Sequence, residues 1–380
     1  MTEQPKVLIV ISGLGAGGAE RVASTMANYW AGQGRRVGLM TLASLQEDHY
    51  QLDAAVTRLS LDIIWPSRNS WHGVKSNLRR VRMIRRAILG FDPDLVVSFI
   101  EGTNVLVIGA LLFSKIPVIV SERTDPRHHP VDRVRRIARR FLYPLAESVV
   151  VQTNSVAVWG RRVTSARRVS VLANPLSNLP EAPPYEDRPR QILAVGRLTE
   201  SKGFGLLIRA FAASQLRKDG WTLTILGEGP QRSALENLVE GYGLSAQVSL
   251  PGVEPAPWRR LQRARVFVLS SRYEGFPNAL LEAMAMGCAC ISTDCPSGPG
   301  EIIHHGDDGI LIAVDDLDGL IAALNDLGGD TGKALHLSEC ALRVRERFAL
   351  ERIMADWDAL IRRIAGHGGG AREEAEVRGG

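Results

Sequence analysis

Short apolar runs recur along the whole chain. They fall at Val7–Ile11, Arg36–Thr41, Leu95–Phe99, Val118–Ser121 and Ser148–Gln152, then at Gln191–Val195, Thr222–Leu226, Val248–Leu250, Val266–Leu269, Ala289–Ser292 and Gly309–Ile312. Runs of this kind, rich in Val, Ile and Leu at consecutive positions, read as strands buried on both faces. The segments between them carry apolar residues at helical spacing. Such alternation predicts α/β architecture, with parallel sheets covered by helices on both faces. The pattern lapses at 175–190, PLSNLPEAPPYEDRPR, where five prolines and few large apolar residues read as a linker. The chain is therefore expected to form one domain over 1–180 and a second over 181–347. An amphipathic closing helix follows over 348–365, and the Gly-rich, charged stretch 366–380 reads as a disordered tail.

Composition narrows the class. With 380 residues, 45% hydrophobic and 23% charged, the chain reads as soluble and globular, which excludes whole-chain disorder and a fibrous rod. Four cysteines without a CxxC pair read as reduced, buried thiols. No secretory signal is expected at the N-terminus. The longest apolar run, Val105–Phe113, is closed by Lys115 and Pro117. It falls well short of the roughly 20 residues that span a bilayer, so a cytoplasmic location is expected.

The net charge of +5 hides an asymmetry. Residues 1–180 hold 24 Lys/Arg against 13 Asp/Glu, and residues 181–380 hold 22 against 28. The basic half should meet something anionic. Residues 63–91 carry seven Lys/Arg and no acid. There Val74, Leu78, Val81, Ile84 and Ile88 share one helical face, and Lys75, Arg79, Arg82 and Arg86 lie largely on the other. A second run places Val131, Val134, Ile137, Phe141 and Leu145 on one face among arginines. Basic amphipathic helices suit an anionic membrane surface, here the inner face of the cell membrane, or a pyrophosphate-bearing acceptor. Nucleic acid is not an expected partner: no reading motif occurs, and aromatic residues make up only 6%.

Candidate chemistry gathers after the strands. GLGAGG at 13–18 satisfies GxGxxG between a strand and a helical run. A dinucleotide site would need an acid at the end of the next strand. That strand ends Met40-Thr41-Leu42-Ala43-Ser44, so a nicotinamide cofactor is not expected. In the second half, GRLTESKG at 196–203 places Arg197 and Lys202 just after a strand. That edge is where ligands sit in open α/β sheets, and two cations there suit a diphosphate. EGFPNALLE at 274–282 holds two carboxylates eight residues apart. Glu274 is expected on the entry loop and Glu282 inside the helix, with Pro277 and Asn278 in its first turn. Free amides there could hold a phosphate. An acceptor-only carboxylate suits sugar hydroxyls, which donate. Glu282 lies among apolar residues, where an unpaired carboxylate is costly. Gly227, in GEG, and Val253 follow two further strands and could line the same ligand. No HxxxH or HExxH spacing occurs, so no metal site is expected.

The order GGAERV at 17–22, GRLTESKG at 196–203, GEGP at 227–230 and EGFPNALLEAMAMG at 274–287 resembles glycosyltransferase family 4 over nearly the whole chain. VIVSERTDP at 118–126 and DCPSGPGEII at 294–303 are similar to the branch that builds exopolysaccharides and lipid-linked oligosaccharides, including N-acetylgalactosaminyl- and galactosyltransferases. The resemblance implies a retaining enzyme of GT-B fold, with two Rossmann-like domains facing a central cleft and a C-terminal helix crossing back to the first. It implies a UDP-sugar donor, no cofactor, and a polyprenyl-linked or other glycolipid acceptor. By position, Arg197 and Lys202 would bind the diphosphate, Glu282 the ribose and Glu274 the donor hexose. Backbone near Gly275, Phe276, Asn278 and Ala279 would hold sugar and phosphate, Val253 would lie beside the base, and Gly17 and Gly18 would let substrates approach. Glu274, Arg197 and Lys202 would form the catalytic set. Many relatives place a His after the strand matching Val118–Ser121. Here the residues are Glu122 and Arg123, so one of them does that work on the acceptor side, or the branch does without it. Arg79 and Arg82 are further acceptor candidates. The alternatives are a soluble or other lipid acceptor, or a non-catalytic protein that binds nucleotide sugars. The 2-epimerases of the same fold lack this motif pair.

Overall fold

The computed structural model describes residues 4–63, 70–128, 132–165, 168–177 and 179–377. The chain forms two compact units, Met1–Asn174 with Glu351–Gly380, and Pro175–Leu350. The first contains β1 (Val7–Ile11), α1 (Gly18–Gly32), β2 (Val37–Thr41), β3 (Thr57–Ser60), α2 (Ser70–Phe91), β4 (Leu95–Phe99), α3 (Glu101–Ala110), β5 (Val118–Ser121), α4 (Arg133–Leu142), β6 (Ser148–Val151), α5 (Asn154–Val163) and β7 (Val169–Val171). The second begins with β8 (Gln191–Val195), α6 (Phe204–Ala213), β9 (Thr222–Leu226), α7 (Arg232–Gly241), β10 (Val248–Gly252), α8 (Trp258–Leu261) and β11 (Val266–Leu269). It continues with α9 (Asn278–Ala285), β12 (Ala289–Thr293), α10 (Pro299–Ile302), β13 (Ile310–Ile312), α11 (Leu317–Gly329), α12 (Thr331–Ala341) and α13 (Val344–Arg347). The last helix, α14, spans Leu350–Val377.

Each sheet is parallel and doubly wound. The first runs β3-β2-β1-β4-β5-β6-β7 and the second β10-β9-β8-β11-β12-β13. β1 and β4 pair in parallel, as do β8 and β11, and strand order reverses at both junctions. Loops leaving these four strands therefore flank the switch points, where open α/β sheets bind ligands. The strand runs are buried as the apolar pattern predicts, β1, β2 and β4 without an exposed position. The pattern does not reveal β3 and β7. They carry TRLS and VSV, too short and too polar to stand out.

Two boundaries differ from the expectation. The first unit ends at Asn174, because the proline-rich segment packs onto the second unit. Tyr185 is buried there, and the Arg188 guanidinium donates to the carbonyls of Ala264 and Gly287 at 3.2 and 2.9 Å. At the other end, α14 runs to Val377, into the stretch read as a disordered tail. Ala371-Arg-Glu-Glu-Ala-Glu supplies strong helix formers, which carry the helix past the Gly-rich segment. Residues from Glu351 onward belong to the first unit. Asp358 accepts from the Trp30 indole at 2.9 Å and pairs with Arg35 at 2.8 Å.

Candidate functional site

The second unit brings the predicted charges together at its switch point. The loop after β8 makes a short turn, Glu200–Lys202, that ends on Gly203 with φ of 65°. A Cβ on Gly203 would stand 2.1 Å from the Ser270 carbonyl oxygen, so only glycine lets the loops after β8 and β11 touch. Two bonds hold that contact. Ser270 Oγ donates to the Lys202 carbonyl at 2.9 Å, and the Arg272 amide to the Ser201 carbonyl at 2.8 Å. Lys202 Nζ consequently lies 2.6 Å from Glu274 Oε1, across 72 residues of sequence. The Ser271 hydroxyl donates to the same oxygen at 2.6 Å. Both partners are largely shielded, their side chains 24% and 9% exposed, so removing either one would leave the other charge poorly compensated.

The EGFPN segment is braced from a third loop. The Ser297 hydroxyl donates to the Glu274 carbonyl. A Cβ on Gly298, at φ of 101°, would reach within 2.5 Å of Pro277 Cδ. Phe276 packs edge-on against Phe348, ring centres 5.8 Å apart. Pro277 sits just before α9 rather than in its first turn. The amides expected to be free are partly used. Asn278 donates to the Phe276 carbonyl, and Leu280 and Leu281 donate to that of Pro277. Gly275 and Ala279 are half-buried beside them, and Glu282 is buried on the second turn of α9. Arg197 is exposed on the loop after β8 and joins no ion pair among the described residues. Val253 is exposed just past β10. Gly227 has a structural reason of its own: a Cβ there would lie 1.9 Å from the Gly196 carbonyl oxygen.

The first unit answers the sequence expectations less evenly. Gly17 caps α1 and Gly18 opens it, after β1 at the switch point. A Cβ on Gly17 would stand 2.1 Å from the Glu20 carboxylate, so that side chain already covers this helix N-terminus. Glu122 does not face outward to meet an acceptor. It is buried beneath α4, where Tyr143 Oη donates to it at 2.5 Å and Arg139 lies 3.7 Å away. Burial pushes its carboxyl up to about 7, against the Tyr143 bond and the Arg139 charge. Arg123 lies with its guanidinium 4.3 Å over the Phe99 ring and donates to Asn174 Oδ1. Burial lowers it to about 9. Arg79 and Arg82 are exposed on α2, and Val131 lies outside the described residues.

Some features of this edge escape sequence reasoning. Ile100, a β-branched residue, holds φ of 71° between β4 and α3, a strained conformation of the kind that collects at functional sites. Its amide donates to the Ser121 carbonyl at 3.1 Å, and its carbonyl accepts from the Asn104 amide at 2.9 Å. Around it, Ser98 Oγ, Ser121 Oγ, Asn104 Oδ1 and Arg123 Nε and Nη2 are buried without hydrogen-bond partners. No motif marks these residues, because strain and missing partners are products of packing.

Two groups of ligand-type side chains stand apart from the catalytic candidates: His304, Asp307 and Asp308, and Asp307, His336 and Cys340. Arginines occupy their acids, Arg343 on Asp307 at 2.8 Å and Arg347 on Asp308 at 3.2 Å. All four cysteines are free and buried. No helix among the described residues is long and apolar enough to cross a membrane.

Two family models match in series, Glycosyltransferase Family 4 over residues 16–177 and Glycosyl transferases group 1 over 178–343. The chain is 29% identical to the amylovoran biosynthesis glycosyltransferase AmsD of Erwinia amylovora, over 94% of this chain and 99% of that one. It is 26% identical to the GalNAc-alpha-(1->4)-GalNAc-alpha-(1->3)-diNAcBac-PP-undecaprenol alpha-1,4-N-acetyl-D-galactosaminyltransferase of Campylobacter jejuni, with the same coverage, 94% and 99%. An exopolysaccharide phosphotransferase of Streptomyces coelicolor is 30% identical over 84% of this chain, which spans only 33% of that longer protein. Among solved structures, HepE of Anabaena in complex with UDP and glucose superposes with a TM-score of 0.77 at 18% identity, over 94% of this chain and 99% of that one. Its likeness is one of fold. With both halves matched in order and the Glu274–Glu282 helix set on its switch point, the chain belongs to glycosyltransferase family 4, with the GT-B fold.

Proposed function

We propose that this glycosyltransferase moves a hexose or N-acetylhexosamine from a UDP-sugar to a polyprenyl-pyrophosphate-linked saccharide in the assembly of a bacterial surface glycan. It does so with retention and without a metal, and works as a peripheral protein on the inner face of the cell membrane. The observation that carries the reading is the Lys202–Glu274 pair at 2.6 Å, beside exposed Arg197 and ahead of buried Glu282. The undecaprenol-linked acceptor of the Campylobacter relative supports the acceptor class, the amylovoran biosynthesis of the Erwinia relative supports glycan assembly, and UDP in the HepE complex supports the donor.

The physical case begins with charge. The leaving nucleoside diphosphate gains negative charge as the glycosidic bond breaks. A helix N-terminus contributes only about 0.3–1 kcal/mol, against barrier reductions of roughly 8–23 kcal/mol. Fixed cations in a shielded site supply far more, because electrostatic stabilisation is usually the largest contribution. Lys202, held by Glu274, is such a cation, and Arg197 stands exposed beside it to close on the diphosphate. Glu274 holds Lys202 in place and presents its remaining acceptor capacity to a sugar hydroxyl. Glu282 takes the ribose hydroxyls. The acceptor hydroxyl attacks from the face the diphosphate leaves, and the β-phosphate oxygen takes its proton. Arg123 and the exposed α2 arginines Arg79 and Arg82 attend the anionic acceptor, and the surrounding anionic membrane surface favours the basic unit. Glu122, enclosed beneath α4, has no part in contacting it.

The test is label transfer. Purified protein, bacterial membranes, chelator and a panel of labelled UDP- and GDP-sugars are incubated, and label is followed into organic extract, with Glu274→Gln as control. Label from one UDP-sugar, absent in the control and of retained anomeric configuration, is expected. Label only in a soluble product moves the acceptor off the membrane. An inverted product ends the retaining reading. Silence with every donor and acceptor leaves a nucleotide-sugar-binding protein.

A further inference from the structure

We infer that the outward face of α4 is an insertion surface for an anionic lipid bilayer, its apolar side chains entering the acyl region while its arginines stay among the headgroups. The inference deepens the acceptor side of the function proposed above and rests on it for its purpose, though not for its geometry.

Helices that cover a parallel sheet turn their apolar stripe inward. In α4 the stripe faces out. Val134, Ile137, Phe141 and, one turn on, Leu145 are 76, 50, 70 and 55% exposed. The residue turned inward is an arginine. Arg139 is buried, its guanidinium 4.7 Å over the Trp159 ring and 3.7 Å from Glu122. That inward anchor fixes the rotation of the helix and leaves the apolar side chains no place in the core. Asp132 caps α4 by accepting from the Arg135 amide at 2.9 Å, so the helix is well formed to its first turn.

Charge says what covers the stripe. Arg133, Arg136 and Arg140 are exposed on the same short helix. α3 packs against both α4 and α2, and α2 presents Arg79, Arg82 and Arg86 to solvent. One helical layer thus carries an apolar ridge set in exposed guanidinium groups. Arginine heads with apolar neighbours fit a headgroup–acyl boundary. A second copy would set these like charges against each other, which disfavours a dimer through this face.

The experiment uses Phe141→Cys labelled with an environment-sensitive fluorophore; the native cysteines are all buried. The probe is a vesicle of equal parts phosphatidylglycerol and phosphatidylcholine. Insertion predicts a blue-shifted, brighter label that is quenched by lipids brominated in the acyl chain. The double change Ile137→Ser, Phe141→Ser should weaken vesicle partition at least about tenfold, even in high salt. Its melting temperature and its turnover on a water-soluble acceptor analogue should hold. An unshifted label on vesicle-bound protein would overturn the inference in favour of surface adsorption. So would a lipid-free dimer that the serine changes dissolve. If neither a lipid-linked acceptor nor the water-soluble analogue is turned over while the label still inserts, the sugar-transfer reading fails and the lipid surface stands.

Discussion

The two switch points are built on the same topology and furnished in opposite ways. In the second unit, Lys202, Ser271 and Glu274 satisfy one another, and three loops are pinned by glycines that touch neighbouring backbone or proline. In the first, Ile100 is strained and Ser98, Ser121 and Arg123 keep buried polar atoms without partners. Every such atom found among the described residues belongs to the first unit. Preorganised charge costs little at the moment of reaction, which suits a site that stabilises the same leaving group each turnover. Unpartnered groups cost about 1–3 kcal/mol each and are rare in native interiors, which suits an edge completed by something else.

The sharpest way to break this contrast is to neutralise the paired edge. Glu274→Gln keeps shape and the Ser271 bond but removes the charge, so turnover should fall by about 10²–10³-fold, and the melting temperature should also fall because Lys202 loses its anion. A variant of near-normal turnover would remove Glu274 from the chemistry. Lys202→Ala should lose turnover about a hundredfold. It should also lose about 1–3 kcal/mol of stability in denaturant titration, because it leaves a shielded carboxylate without its cation. Sequence alone predicts the first loss without the second, since the pairing is invisible there. Turnover and stability both unchanged to within error would show Lys202 to be an ordinary surface charge.

The first unit should show itself through pH. The Glu122 carboxyl is raised from 4.5 to about 7, so the folded state keeps a proton that the unfolded chain releases. Its contribution to stability is present below about pH 4.5 and is lost as pH rises toward 7, amounting to at most about 3 kcal/mol. Glu122→Gln should remove that slope, read as melting temperature against pH. An identical slope in the variant would place the titration elsewhere. The smallest effect is the most direct comparison of the two edges. Ser271→Ala should cost about 1.5 kcal/mol, the low end for a lost bond to a charged partner, whereas Ser121→Ala should be neutral or slightly stabilising. Equal costs would mean that the edges do not differ.

Much of the architecture was legible because it is local. Consecutive apolar residues can only be buried on both faces, so most strands declare themselves, and β3 and β7 escape because TRLS and VSV are too short to form a pattern. Glu282 is placed correctly inside its helix because eight residues of loop and helix leave little freedom. Glu122 misleads for the opposite reason. Its position after β5 is right, but whether its side chain turns outward or beneath α4 depends on Tyr143 and Arg139, distant in sequence.

By itself the sequence determined the two α/β halves, the loops that carry charge, and the family to which their order belongs, since period and motif are properties of neighbouring residues. Only the tertiary structure decided that Lys202 meets Glu274, because β8 and β11 become neighbours in the sheet and bring together side chains 72 residues apart. It alone decided which way α4 faces. Helical period shows which residues share a face, whereas the partners buried under the helix, here Glu122 and Trp159 on Arg139, set the direction in which that face is turned.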